Sequence, residues 1–162
     1  MKIRKASESD SEDIWRIFHA VVRRGDTYTF DPQITREEAL AYWFRADTHT
    51  FVALDEEERV LGTYILRPNQ PALGAHVANA AFMIAPETKG RGIGRAMGEH
   101  CLAKARELGF RAMQFNFVVA TNTGALKLWQ QLGFRIVGTL PAAFRHPALG
   151  FVDAHVMFRE LT

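Results

Sequence analysis

The stretch from Ala78 to Arg95 constrains the fold more than any other part of the chain. An apolar run, Ala78 to Ile84, meets Pro86, then glycines at alternate positions (Gly90, Gly92, Gly94), and then a helical pattern. That order reads as a strand, a glycine-rich turn and a helix N-terminus. Glycine has no Cβ, so the backbone can come close to a ligand. The first amides of the helix lack intrahelical acceptors, and the helix dipole adds a positive end. Such a turn suits phosphate or pyrophosphate, and Lys89, Arg91 and Arg95 bring positive charge to it. It is not a P-loop, since no Gly-Lys-Ser/Thr occurs. It is not a dinucleotide fingerprint either, because the third glycine is out of register and the turn lies in mid-chain. A phosphorylated ligand is expected here.

The remaining segments arrange themselves around that turn. Lys2–Ala6 reads as a short strand, and Ser7–Asp10 as a capping box before a helix from Asp10 to Arg24. Ile14, Ile17, Phe18, Val21 and Val22 form the apolar stripe of that helix. A loop with two aromatic residues, Tyr28 and Phe30, leads to a second capping box, Thr35–Glu38, and a helix to Ala46. Strands are predicted at Thr50–Asp55, Val60–Leu66 and Val77–Ile84. After the glycine turn a helix runs to Leu108, closed by Gly109. Arg111–Val119 completes a β-α-β crossover, which makes a parallel pair. A helix opened by Asn122 and ended by Gly133 precedes strands Phe134–Leu140 and Phe151–Phe158, with Arg145-His146-Pro147 in the turn between them. The order predicts an α/β fold, one mixed sheet with helices on both faces, in a single domain over residues 1–162.

Composition removes several classes of function. The lone Cys101 excludes an intramolecular disulfide framework or a cysteine zinc cluster, and fits a reducing cytoplasm. The histidines show no metal-ligand spacing, so no metal is expected. Net charge is only +2 and the basic residues are spread along the chain, so neither nucleic acid nor a membrane surface is expected as a partner. No apolar run approaches a membrane span, and Met1–Lys5 has no signal-peptide core behind it.

Lys89-Gly90-Arg91-Gly92-Ile93-Gly94 resembles [RQ]-x-x-G-x-[GA], the coenzyme A turn of the GNAT acyltransferase superfamily, with Lys in the Arg/Gln place. Asn122-Thr123-Gly124-Ala125-Leu126-Lys127-Leu128-Trp129-Gln130-Gln131-Leu132-Gly133-Phe134 resembles the second signature of that superfamily, N-x-x-A-x-x-[LF]-[YW]-x-x-x-G-F. The resemblance covers nearly the whole chain. It implies a GNAT fold in which the parallel fourth and fifth strands splay apart, and acetyl-CoA as co-substrate. It further implies a cofactor site at Phe82, Met83, Ile84, Lys89, Gly90, Arg91, Gly92, Ile93, Gly94, Arg95, Asn122 and Trp129. Amides near Met83 and Ile84 would polarise the thioester oxygen. Two departures stand out. The aromatic position that is tyrosine in many members, the proposed proton donor to the thiolate, is Trp129. Phe117 stands where a glutamate base is often found.

Asparagines stand where those groups are missing. Asn79 in the fourth strand and Asn116 in the fifth are residues depleted in strands, set in apolar surroundings and expected to be buried. They are read either as satisfying edges opened by the splay or as gripping acceptor and thioester. The words Val77-Ala78-Asn79-Ala80-Ala81-Phe82 and Phe115-Asn116-Phe117-Val118 resemble the proline-analogue (azetidine-2-carboxylate) acetyltransferases of yeast and bacteria. This implies substrate contacts for Asn79 and Asn116, the candidate catalytic pair, and a pantetheine contact for Asn122. Tyr28, Phe30, Phe117 and Arg145 are the candidate acceptor-binding residues. The expected activity is acetyl transfer from acetyl-CoA to a small-molecule amine, an amino acid or cyclic imino acid. Acetylation of a protein N-terminus or lysine, and a CoA-binding regulatory module without catalysis, stay open as alternatives, as does a homodimer.

Overall fold

The capping signals at the N-terminal end set the first layer of the structure, a computed structural model describing residues 1–162. Strand β1 (Lys2–Lys5) leads into a one-turn 3-10 helix and α1 (Ser11–Val22). At that junction the Ser7 amide donates to Asp10 Oδ2 at 2.7 Å, and Arg4 grips both Asp10 oxygens at 2.8 and 2.9 Å. Thr35 and Glu38 close a reciprocal capping box at the start of α2 (Arg36–Trp43). Seven strands follow one another into one sheet: β1, β2 (His49–Leu54), β3 (Val60–Pro68), β4 (Val77–Ile84), β5 (Ala112–Val119), β6 (Arg135–His146) and β7 (Gly150–Glu160). Helix α3 (Ile93–Glu107) joins β4 to β5, and α4 (Thr123–Gln131) joins β5 to β6.

The sheet order is β1-β2-β3-β4-β5-β7-β6, antiparallel throughout except at β4–β5. Helices cover both faces, as the sequence predicts. Ile14, Ile17, Phe18 and Trp43 from α1 and α2 pack with Val52, Ile65 and Met83 on one side. Ile93, Met97, Cys101 and Trp129 from α3 and α4 pack with Tyr64, Leu66 and Phe115 on the other. Cys101 is fully buried, and burial pushes its thiol well above the usual range, so it is a core residue. No helix is long and apolar enough to cross a membrane.

The parallel pair is short. It spans Val77↔Ala112 and Ala78↔Met113 only, after which β4 and β5 diverge. From Asn79 onward β4 therefore keeps a partner on one edge alone, β3. Two hydrogen bonds, Asn69 N–H to Val77 C=O and Ala85 N–H to Leu61 C=O, fix the phase of that ladder. By strand alternation the polar groups of Asn79, Ala81 and Met83 face β3, and those of Ala80, Phe82 and Ile84 face the fork.

The C-terminal hairpin departs from the sequence reading. β6 runs to His146, not Leu140, so Arg145 is a strand residue opposite Phe151 and not part of a turn. Pro141 hides the continuity, because it breaks the expected pattern of a strand. The structure accommodates it in a bulge between Leu140 and Phe144, where Ala142 takes φ +51° and its amide donates to Asp153 Oδ1 at 2.9 Å.

Candidate active site

The site is built where the fork meets the glycine turn. Gly90 and Gly92 have φ of +84° and +76°, and a Cβ on either would meet nothing within 4 Å. Glycine is therefore favoured there by the left-handed backbone and not by crowding. Gly94 differs: a Cβ there would lie 3.1 Å from Ile84 Cδ1 and 3.2 Å from Leu128 Cδ2, so this glycine lets α4 and β4 close on α3. The first α3 amide to find a helical acceptor is that of Ala96, on Gly92 C=O at 3.1 Å. The N–H groups of Ile93, Gly94 and Arg95 remain free at the positive end of the helix. Lys89 and Arg91 are exposed beside them, whereas Arg95 is engaged by Gln131 and Glu99. Ile93 contributes only its amide, since its side chain is in the core. This cradle fits a pyrophosphate.

The expected cofactor contact at Met83 is corrected by the register. Its side chain is buried in the α1/α2 core and its backbone polar groups face β3, so it offers the fork nothing. Ile84 offers its own, whereas the polar groups of Phe82, on the same edge, are both engaged by Tyr28. Phe82 also packs with Trp129 (ring centroids 4.8 Å) and Phe115 (6.2 Å), while Phe115 lies 4.8 Å from Trp129. Trp129 thus wedges the two strands apart, and its indole N–H makes no hydrogen bond within the chain. Gly98 makes room for it, for a Cβ there would come within 3.2 Å of Trp129 and 2.6 Å of Leu132. Asn122 caps α4, accepting from the Ala125 amide at 3.4 Å.

Tyr28 enters the fork from the opposite face. Its hydroxyl accepts from the Phe82 amide at 3.1 Å and donates to the Phe82 carbonyl. Burial pushes its ionisation well above the ordinary phenol value, with the Phe82 bond opposing, so the group is a neutral hydrogen-bonding clamp. Tyr28 also lines a cavity of about 380 Å³ with Phe30, Phe144, Arg145 and Pro147. Three of the four predicted acceptor residues, Tyr28, Phe30 and Arg145, thus meet in one cavity. Phe117 stands behind it, its ring 6.2 Å from that of Phe144.

Asn79 and Asn116 lie on one polar seam but in surroundings unlike those expected. Asn79 Nδ2 donates to Gln114 C=O at 2.9 Å, bridging the strands where their ladder stops. Asn116 is exposed, not buried: it sits in the bulge of β5 between Phe115 and Val118, accepting from Gln114 Nε2 at 2.9 Å and donating to Asn69 Oδ1 at 2.7 Å. The bulge turns it out of the apolar layer that its neighbours suggest. Sequence reading also missed Phe144, Tyr42 and Arg67 around the site. A charged residue directly after the apolar run Val60–Leu66 was the available signal for Arg67.

The sequence model of the acetyltransferase (GNAT) family matches residues 12–134. N-acetyltransferase aca1 of Schizosaccharomyces pombe is 30% identical over 151 residues, covering 83% of this chain and 72% of that protein. The structure of a GCN5-related N-acetyltransferase from Kribbella flavida is 46% identical and superposes with a TM-score of 0.95, covering 98% of this chain and 96% of the other. A phosphinothricin acetyltransferase from Sinorhizobium meliloti, solved with acetyl-CoA, shares the fold at 22% identity, with a TM-score of 0.87 over 98% of this chain and 87% of its own.

Proposed function

The chain belongs to the acetyltransferase (GNAT) family and is an acetyl-CoA-dependent N-acetyltransferase, and within that family we propose that it acetylates the amine of a small molecule, an amino acid or cyclic imino acid. The observation that carries this reading is the cavity beside Tyr28, whose hydroxyl reaches Phe82 at the fork. About 380 Å³ lies within the range of small-molecule sites. Its walls are the aromatic loop of Tyr28 and Phe30 and the hairpin residues Phe144 and Arg145, a surface that suits a compact acceptor better than an extended peptide.

Acetyl-CoA supplies the activated acetyl thioester. The free amides of Ile93 to Arg95, with Lys89 and Arg91, hold the pyrophosphate, and the fork edge at Ile84 holds the pantetheine arm. A free strand amide beside the thioester oxygen stabilises charge developing there, a role worth about 3 kcal/mol per donor. The Phe82 N–H is already donated to Tyr28, so the fork amide free for that role is that of Ile84. Asn79, Gln114, Asn116 and Asn69 present neutral amides and no carboxylate, so the acceptor arrives as the free amine or loses its proton to water. Trp129 closes the apolar side and excludes water from the fork.

Mass spectrometry of products from acetyl-CoA and a panel of free amino acids, imino acids, simple amines and N-terminal peptides tests this reading. Free amino or imino acids are expected to be acetylated fastest. Peptides outperforming every small amine would overturn it.

A further inference from the structure

Arg67 stands beside the fork with a charge that the fold partly seals and leaves unanswered. It is the penultimate residue of β3, paired with Asn79 and on the same sheet face as Ile65, which packs against α1 and α2. Its guanidinium carbon lies 4.7 Å from the centre of the Tyr42 ring, and Nη2 donates to the Tyr42 hydroxyl. Nη1 is sealed from solvent and has no acceptor. None of the chain's ion pairs includes Arg67.

A guanidinium is permanently charged and presents its donors as a planar fork matched to a carboxylate. Burying part of it without a partner is costly, and such a group calls for a reason. The polar side chains nearest in register do not give one. Asn79, Gln114, Asn116 and Asn69 are all neutral, and they are bonded to one another or to backbone. Tyr42 connects Arg67 to the cavity, its ring 5.0 Å from that of Phe30. Asn79 precedes Phe82 by three residues, about 10 Å along a strand. An arginine side chain rooted opposite Asn79, together with a small amino acid, is long enough to cover that span.

We propose that Arg67 receives the carboxylate of the acceptor, so that the enzyme selects amines carrying a carboxylate and turns their nitrogen toward the fork. This rests on the small-amine reading above and adds to it the group that is recognised and the residue that recognises it. Phe30 and Tyr42 then cover the apolar part of the acceptor.

The test compares matched amines with and without a carboxylate, proline against pyrrolidine and alanine against ethylamine, in wild type, Arg67→Gln, Arg67→Lys and Arg145→Gln. Wild type is expected to favour the carboxylated member. Arg67→Gln is expected to lower its kcat/KM by about 100-fold, through the loss of a buried charge partner, while the other member changes less than about threefold and the KM for acetyl-CoA stays level. Arg67→Lys should recover part of the loss, since it keeps the charge without the bidentate fork; it also serves as the test should Arg67→Gln melt early. An equal fall for both members would make Arg67 a support for Tyr42 and overturn the proposal. Discrimination lost in Arg145→Gln alone would place the carboxylate on the hairpin, overturning it while the small-amine reading stands. Turnover of peptides with no small amine acetylated would overturn both.

Discussion

Trp129 shows how a single residue can be read for chemistry before its neighbours are known. An indole N–H has negligible acidity, so the sequence alone argues against a proton donor at this place. The structure assigns it different work, holding Phe82 and Phe115 apart at 4.8 Å from each. Trp129→Phe keeps an aromatic ring in the wedge, so turnover should fall by about tenfold or less, against the 10²–10⁴ of a lost acid–base group. Steady-state kinetics with acetyl-CoA affinity measured in parallel decides it. A larger fall at unchanged affinity would mean the indole takes part in the chemistry. Asn79 and Asn116 were legible as unusual strand residues. Their surroundings were not, because the end of the β4–β5 ladder and the β5 bulge are set by pairing between distant segments.

The elements are held by local signals that the sequence displays and by contacts it does not. The turn joining β1 to α1 is one where both meet. Ser7 and Asp10 form the expected box, but Arg4 from the strand supplies the second anchor, bidentate on Asp10. The Arg4 hydrogen bonds, aided by the Ser7 amide and opposed by burial, hold the Asp10 carboxyl below its usual range. A depressed folded value means that this stabilisation is fully present above the carboxyl's unfolded pKa and is lost as pH falls through the lower folded one. Asp10→Asn should therefore cost about 1–2 kcal/mol at pH 7, the lower part of the range for charged hydrogen bonds because Arg4 is part-exposed. In urea melts the gap from wild type should narrow below about pH 4, around the ordinary carboxyl value. A gap that stays constant into acid would show that Asp10 acts through shape and not charge. Gly98 carries a similar lesson from the α3–α4 seam. Its glycine is visible in the sequence, but the Leu132 methyl that a Cβ would strike at 2.6 Å lies just past the end of α4.

Across the whole molecule the glycine turn couples ligand binding to stability. A ligand at about 100 times its Kd adds about 2.7 kcal/mol to the folded state, and a domain of this size gains roughly 2–4 °C in Tm per kcal/mol. Saturating acetyl-CoA should raise Tm by about 5–10 °C. Gly92→Asp sets a carboxylate where the pyrophosphate sits, at φ +76°, a region aspartate tolerates better than most residues. The variant should fold and show no shift with acetyl-CoA; a wild-type shift would remove the turn from the binding site. The sequence by itself determined the order of the elements, the glycine turn, the capping boxes and the family signatures, because periodicity, turn chemistry and helix ends act over a few neighbouring residues. The tertiary structure alone decided which backbone groups are free. Met83 and Ile84 are adjacent and both apolar, yet the β3 register gives Met83 to the ladder and Ile84 to the fork. It likewise decided that β6 continues past Pro141 and brings Arg145 to the Tyr28 loop, and that Arg67 lies beside neutral amides without a carboxylate. Pairing phase and charge balance are properties of segments far apart in the chain, and only the folded sheet brings them together.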